Sequence, residues 1–127
     1  MKILGIGVDI IKNKRIKSLL KNKNFIKRTF GKKEVQLSRK ISNKDLYFAK
    51  RFAAKESFVK ALGTGFRNNL NFKDIEILND KIGKPYYFKS IKINNIVRQK
   101  FNIKKYNLFL SISDEKDYSI AFTILQK

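Results

Sequence analysis

The sequence predicts an α+β fold, with a mostly antiparallel sheet packed against one long and several short helices. Three observations predict it. An apolar, Ile-rich run opens the chain at residues 2–11. A long helical stretch follows, started by Asn43 and stopped by Gly63. Beyond it the period changes from helical spacing to alternation, in runs separated by short turns. With 127 residues, 43% of them hydrophobic, the chain has the size of one ordinary domain, and residues 1–127 are read as a single domain with its own core.

Residues 2–11 (KILGIGVDII) read as a strand, and their apolar character predicts a central, buried position. Residues 14–21 place Ile16, Leu19 and Leu20 at helical spacing among Arg15, Lys17, Ser18 and Lys21, which predicts a basic amphipathic helix. Residues 25–30 and 33–40 read as short helices separated by Gly31. The long helix runs from Asn43 to Leu62, and Gly65 follows its Gly63 stop by two residues. Residues 72–78 (FKDIEIL) alternate and predict one strand. Residues 79–84 form a turn containing Gly83, and a short strand at 84–88 starts around the single proline, Pro85. Residues 91–101 carry Ile93, Ile96 and Val97 on one side of a helix. Residues 106–113 and 118–125 read as two strands of a hairpin around 114–117 (DEKD).

The residue inventory excludes several chemistries. There is no Cys and no His. Disulfide scaffolds, thiolate zinc sites, Cys nucleophiles and imidazole acid–base catalysis are therefore absent. A metal here must be held by oxygen, which points to a hard cation such as Mg²⁺, Mn²⁺ or Ca²⁺. The formal charge of +20, from 30 Lys+Arg against 10 Asp+Glu, favours an anionic partner. Part of it reflects an abundance of Lys and Asn with Ile (24, 12 and 17 residues), and only 6 of the cations are Arg. No apolar run approaches the ~20 residues of a membrane span. The N-terminal run is interrupted by Asp9 and lacks the order of a signal peptide. A soluble, cytoplasmic protein with no membrane partner is expected.

Two segments place acids in apolar settings. In GIGVDI (5–10) the glycines permit close approach of another backbone or a ligand, and Asp9 projects near the strand end. The plainer role for Asp9 is to cap the next helix. In KRFAAKESFVKALGTG (50–65), Phe52, Glu56, Val59, Lys60 and Gly63 share one helical face. The plainer role for Glu56 is an exposed i,i+4 ion pair with Lys60. The alternative is that Lys60, one turn from a Gly-Thr-Gly stop, sits beside a loop able to hold phosphate oxygens. Asp9 and Glu56 together are the number of carboxylates that Mg²⁺ uses when phosphates supply its other ligands. IGKPYY (82–87) and LSISDEKDYSIAFTI (110–124) read by themselves as an ordinary turn and an ordinary charged hairpin.

The order GIGVDI, Arg15, KRFAAKESFVKALGTG, FKDIEIL, GKPY and the serine-containing strand LSIS resembles the holo-[acyl-carrier-protein] synthases, bacterial 4′-phosphopantetheinyl transferases. The resemblance spans nearly the whole chain. It implies a 4′-phosphopantetheinyl transferase-like fold and transfer of the phosphopantetheine arm of coenzyme A to a serine of apo acyl carrier protein, with Mg²⁺ and release of 3′,5′-ADP. It implies metal ligation by Asp9 and Glu56, and phosphate neutralisation by Lys60. Contacts to coenzyme A are implied for Arg51, Lys60, Gly63, Thr64, Gly65, Lys84 and Pro85. Docking of the acidic carrier protein is implied for the basic helix around Arg15 and Lys21. A homotrimer with sites at subunit boundaries is implied as well. Many members of the family have His directly after the S-x-S/T strand end, where this chain has Asp114.

Two rival readings differ in class. A nucleic-acid-binding module would use the positive charge with the 11 Phe and 5 Tyr, but those aromatics fall in apolar settings and no RRM, KH or zinc-finger signature is present. No nucleic-acid partner is therefore expected. A non-catalytic binder of carrier protein would not need Asp9, Glu56 and Lys60 together.

Overall fold

The structure, a computed structural model, describes residues 1–67 and 69–127. In chain order it comprises β1 (Ile3–Lys12), α1 (Asn13–Leu19), α2 (Lys23–Thr29), α3 (Lys32–Ser38) and α4 (Lys44–Leu62). A 3-10 turn (Phe72–Asp74), β2 (Ile77–Asn79), β3 (Pro85–Tyr87), α5 (Ile91–Phe101), β4 (Asn107–Asp114) and β5 (Tyr118–Gln126) follow. The α+β expectation holds: strands β1, β5 and β4 form one antiparallel sheet in that order, and β2–β3 form a small antiparallel hairpin.

Helix α4 is the centre of the molecule. The Asn43 Oδ1 accepts from the Leu46 N–H at 3.1 Å and caps its start. Gly63, at φ 83°, ends it in the left-handed region. Thirteen of its side chains are buried, on nearly every side, because β1 and β5 cover one flank and the short helices another. Its largest fully buried residues include Phe58, Leu62 and, unusually, Lys55.

Two expectations about strands are corrected. Strand β1 lies at the edge of its sheet, with Ile6, Val8 and Ile10 exposed by 61%, 49% and 62%. Its inward residues are Gly5, Gly7, Asp9 and Ile11. A run whose only charged residue between 3 and 11 is Asp9 looks buried on both faces, yet only one face of β1 meets α4. The expected strand at 72–78 is in fact the 3-10 turn followed by β2. The Asp74 carboxylate accepts from the Asn71 N–H at 2.8 Å, and the Lys55 ammonium takes the Phe72 and Ile75 carbonyls. Those side-chain bonds occupy backbone groups that a ladder would need.

Candidate active site

The glycines of β1 set how close the strand lies to α4. A Cβ on Gly5 would stand 1.8 Å from the Ala61 carbonyl oxygen, and one on Gly7 1.9 Å from the Ser57 carbonyl oxygen. The ligand that needs this close approach is therefore the protein's own helix backbone. Asp9 is the next inward residue on the same face, so the flush packing carries its carboxylate to α4.

There it meets Lys60. The Lys60 ammonium donates to the Val8 carbonyl at 3.0 Å and to Asp9 Oδ1 at 3.3 Å. The lysine side chain is half exposed and Asp9 is mostly covered. Asp9 does not cap α1, whose N-cap is Lys12 without a side-chain bond. The ion pair of Lys60 is with Asp9 on another element, which displaces the simple i,i+4 partnership with Glu56.

Glu56 completes the group. Burial pushes its carboxyl above the usual range, and the negative charge of Asp9 pushes it further, against the pull of Lys60 and Arg15. Asp9 is also raised by burial, opposed by its hydrogen bond and charge contact with Lys60 and by Arg15. Two half-buried carboxylates that repel each other beside two cations form an oxygen-donor site short of positive charge. Among the described residues no three acidic side chains are placed to hold a metal ion together. Two carboxylates fit a Mg²⁺ whose remaining ligands come from phosphate and water, and do not fit an all-protein Ca²⁺ cage.

Glu56 also belongs to the lining of a groove of about 610 Å³. Its aromatic wall is Phe25, Phe52, Phe66 and Phe72, and Arg15 and Arg28 supply its charge. The Phe52 and Phe72 rings stack with centroids 5.3 Å apart, and Phe66 lies 4.2 Å from Phe72. Arg15 is exposed on α1, whereas Lys21 lies just past the end of that helix.

The remaining predicted residues fall in two places. Gly63, Thr64 and Gly65 form the exposed end of α4 beside Lys60, and Gly65 has φ 67°. Arg51 lies nine residues before Lys60, roughly 13 Å along the axis and about half a turn round it. It is 4% exposed and stacks over the Tyr47 ring at 3.7 Å. Its Nη2 donates to Asn79 Oδ1 at 2.5 Å, and Asn79 donates to the Gly83 carbonyl at 2.9 Å. Arg51 is thereby tied to the turn that presents Lys84 and Pro85, which the Asp80 carboxylate holds through the Lys84 N–H at 2.8 Å. The Arg51 Nε is buried with no hydrogen-bond partner among the described residues. Within one chain, Arg51, Lys84 and Pro85 thus form a group separate from Asp9, Glu56 and Lys60. Asp114, at the end of β4, lies 3.8 Å from the Lys50 ammonium.

Sequence reasoning missed the Lys55–Glu34 pair. Lys55 Nζ lies 2.6 Å from Glu34 Oε1, and both side chains are fully buried. A signal was present: Lys55 has Arg51, Phe52, Phe58 and Val59 at its helical neighbour positions and no acid among them.

This fold, with its two carboxylates and lysine at the β1–α4 contact, defines a class. A model of the 4′-phosphopantetheinyl transferase superfamily matches residues 5–123, and the chain belongs to that superfamily. It is similar to the holo-[acyl-carrier-protein] synthase of Pelagibacter ubique, at 61% identity over 127 residues, covering 100% of this chain and 99% of the relative. The crystal structure of the Neisseria meningitidis holo-[acyl-carrier-protein] synthase superposes with a TM-score of 0.88 at 38% identity, covering 99% of this chain and all of that one. The enzyme from Bacillus anthracis, solved in complex with CoA (3′,5′-ADP), gives a TM-score of 0.80 at 35% identity, with 98% and 97% coverage.

Proposed function

We propose that residues 1–127 act as one Mg²⁺-dependent transferase domain that moves the 4′-phosphopantetheine arm of coenzyme A to a serine of apo acyl carrier protein. The products are holo carrier protein and 3′,5′-ADP, and the setting is fatty acid biosynthesis in the cytoplasm. The observation that carries the reading is the convergence of Asp9, Glu56 and Lys60 across the β1–α4 contact in a chain of this superfamily.

The serine hydroxyl attacks the phosphorus that bears the pantetheine arm. The bond from that phosphorus to the bridging oxygen breaks, and the hydroxyl proton passes to a carboxylate or to water. Such a step depends on positioning and charge neutralisation. Asp9 and Glu56 would hold Mg²⁺, which supplies positive charge to the pyrophosphate oxygens. Lys60 has a half-exposed stem and lies at the mouth of the Gly63–Gly65 loop, so its ammonium can turn from Asp9 to a phosphate oxygen of the leaving group. Arg51, which braces Asn79 at the base of the turn that carries Lys84 and Pro85, would form with them a second anchor for the nucleotide end of coenzyme A. Lys50 offsets the charge of Asp114 at the end of β4.

The groove beside Glu56 supports docking of the carrier protein. Its aromatic wall offers apolar contact, and Arg15 and Arg28, with Lys21 nearby, match an acidic partner. Among the described residues no helix is long and apolar enough to cross a membrane. The outer face of the sheet supports a homotrimer. Val8 stands opposite Phe122 and Ile10 opposite Ile120, while Ile6 aligns through Ile124 with Phe109. Directly opposed residues share a face, and six of these seven side chains are exposed in the single chain, Ile124 excepted. A monomer rarely leaves so continuous an apolar surface in water, and closed association buries it. We propose that the sites of such an assembly lie at subunit boundaries, as the family resemblance implies.

The test is chromatographic detection of 3′,5′-ADP from coenzyme A with apo carrier protein and Mg²⁺. Release that depends on carrier and stops with EDTA or with Asp9→Ala/Glu56→Ala is expected. Release that survives in the double variant would overturn the assignment of the site.

A further inference from the structure

The Lys55–Glu34 pair lies outside the machinery just described, yet it borders it. Lys55 and Glu56 are consecutive on α4, so their side chains diverge by about 100°. Glu56 faces Asp9 and the groove, while the Lys55 ammonium points into the core. All three of its N–H donors are used: Glu34 Oε1 at 2.6 Å, the Phe72 carbonyl at 3.0 Å, and the Ile75 carbonyl. Glu34 is equally engaged. Its Oε1 also accepts from the Gly31 N–H and its Oε2 from the Ile77 N–H, each at 3.1 Å. One ion pair thus joins α4, the start of α3, the 3-10 turn and β2.

A buried ion pair is not needed for stability, since well-packed apolar residues of equal volume often serve as well. What this pair does that an apolar pair does not is fix two backbone carbonyls in the turn that carries Phe72. The Phe72 ring stacks on Phe52 at an interplanar angle of 17° and meets Phe66, and all three rings wall the groove that reaches Glu56.

We propose that Lys55 and Glu34 are positioning residues for recognition of the carrier protein: they hold the 72–75 turn so that Phe72 and Phe66 present a preformed wall beside Glu56. The proposal rests on the transferase reading and on docking in that groove. The pair touches neither coenzyme A nor the reacting serine. Its loss weakens carrier binding and leaves the chemical step of the bound complex nearly intact.

The experiment uses Lys55→Met/Glu34→Met, which removes both charges together and avoids a stranded one. Glu34→Gln is the milder variant, since its amide must oppose either the Lys55 ammonium or the Ile77 N–H. Thermal unfolding reports folding, and calorimetric titration of apo carrier protein without coenzyme A reports binding apart from turnover. Steady-state kinetics separate KM from kcat. In the double variant, Kd and KM for carrier rise about tenfold while kcat at saturation changes by less than about threefold. Glu34→Gln shifts both in the same direction by less, and serves alone if the double variant does not fold. On a Phe72→Ala background, which itself weakens carrier binding, either change adds little, because the wall it positions is already gone. Folded variants that bind carrier as tightly as wild type, or that lose kcat with KM unchanged, would overturn the proposal while leaving the transferase reading in place. A wild-type chain that transfers nothing and binds no carrier would overturn that reading and this proposal with it.

Discussion

Gly7→Ala is the sharpest perturbation the fold offers. The added methyl would lie 1.9 Å from the Ser57 carbonyl oxygen and 2.7 Å from the Ala61 nitrogen, both backbone atoms of the central helix. Neither can turn aside as a side chain could. Contact at ordinary separation requires β1 to retreat by more than about 1 Å. Asp9 is two residues along on the same face and moves with the strand. The Lys60 bonds to Val8 and Asp9, at 3.0 and 3.3 Å, then stretch past hydrogen-bonding range. Overpacking of this kind costs about 1–3 kcal/mol. A misplacement of about 1 Å at a reacting site costs about 100-fold in rate. The expected outcome is therefore a chain that still folds, with Tm lower by several degrees and phosphopantetheine transfer lower by about two orders of magnitude, read by thermal unfolding and by intact mass of the carrier. An unchanged Tm with a rate within about threefold of wild type would refute the claim that this contact sets the position of Asp9.

Other outcomes follow from the same geometry. Asp9 and Glu56 hold protons more tightly when folded, so the folded chain binds more protons than the unfolded one just above the ordinary carboxyl values of 3.8 and 4.5, and stability falls as pH rises through that window. Glu56→Gln should therefore raise Tm at neutral pH without divalent metal, lose that advantage towards pH 4, and abolish transfer; a lower Tm at pH 7 would contradict the repulsion. Mg²⁺ at a hundred times its Kd should stabilise the wild type by about 2.7 kcal/mol and leave Asp9→Asn/Glu56→Gln unmoved, as thermal unfolding with and without EDTA would show. Lys60→Met, at a half-exposed site, should keep its fold and lower kcat by about 100-fold, with little change in carrier KM. Phe122→Glu with Ile10→Asp should yield a monomer in analytical ultracentrifugation with little transfer activity, whereas a wild type that is already monomeric would remove the basis for the shared site.

Much of this was legible in the chain itself. Asn43 and Gly63 mark the ends of α4 because capping and left-handed φ are local needs that few residues meet. Gly5 and Gly7 announced a close approach, and Asp9, Glu56 and Lys60 stood out because acids are scarce here. What the chain did not disclose depends on distant partners. β1 looked central because apolar residues on both alternating faces, Ile6, Val8 and Ile10 as well as Ile11, fit two buried faces, and the sequence does not say what covers the outer one. The 72–78 segment alternates like a strand, but Lys55, some twenty residues away in sequence, claims its carbonyls and turns it into a 3-10 turn. Glu34 pairs with Lys55 across 21 residues, a separation without periodic signature. The coenzyme A contact of Arg51 came from the family resemblance, and only the fold shows its side chain buried against Tyr47, with its Nε unpartnered among the described residues.

The intact mass of apo acyl carrier protein after incubation with this protein, coenzyme A and Mg²⁺ decides whether the chain is the transferase proposed here. The carrier should gain one phosphopantetheine arm, a gain absent with EDTA and absent with Asp9→Ala/Glu56→Ala. A carrier of unchanged mass, with coenzyme A and carrier both in excess and the protein folded, would contradict that function.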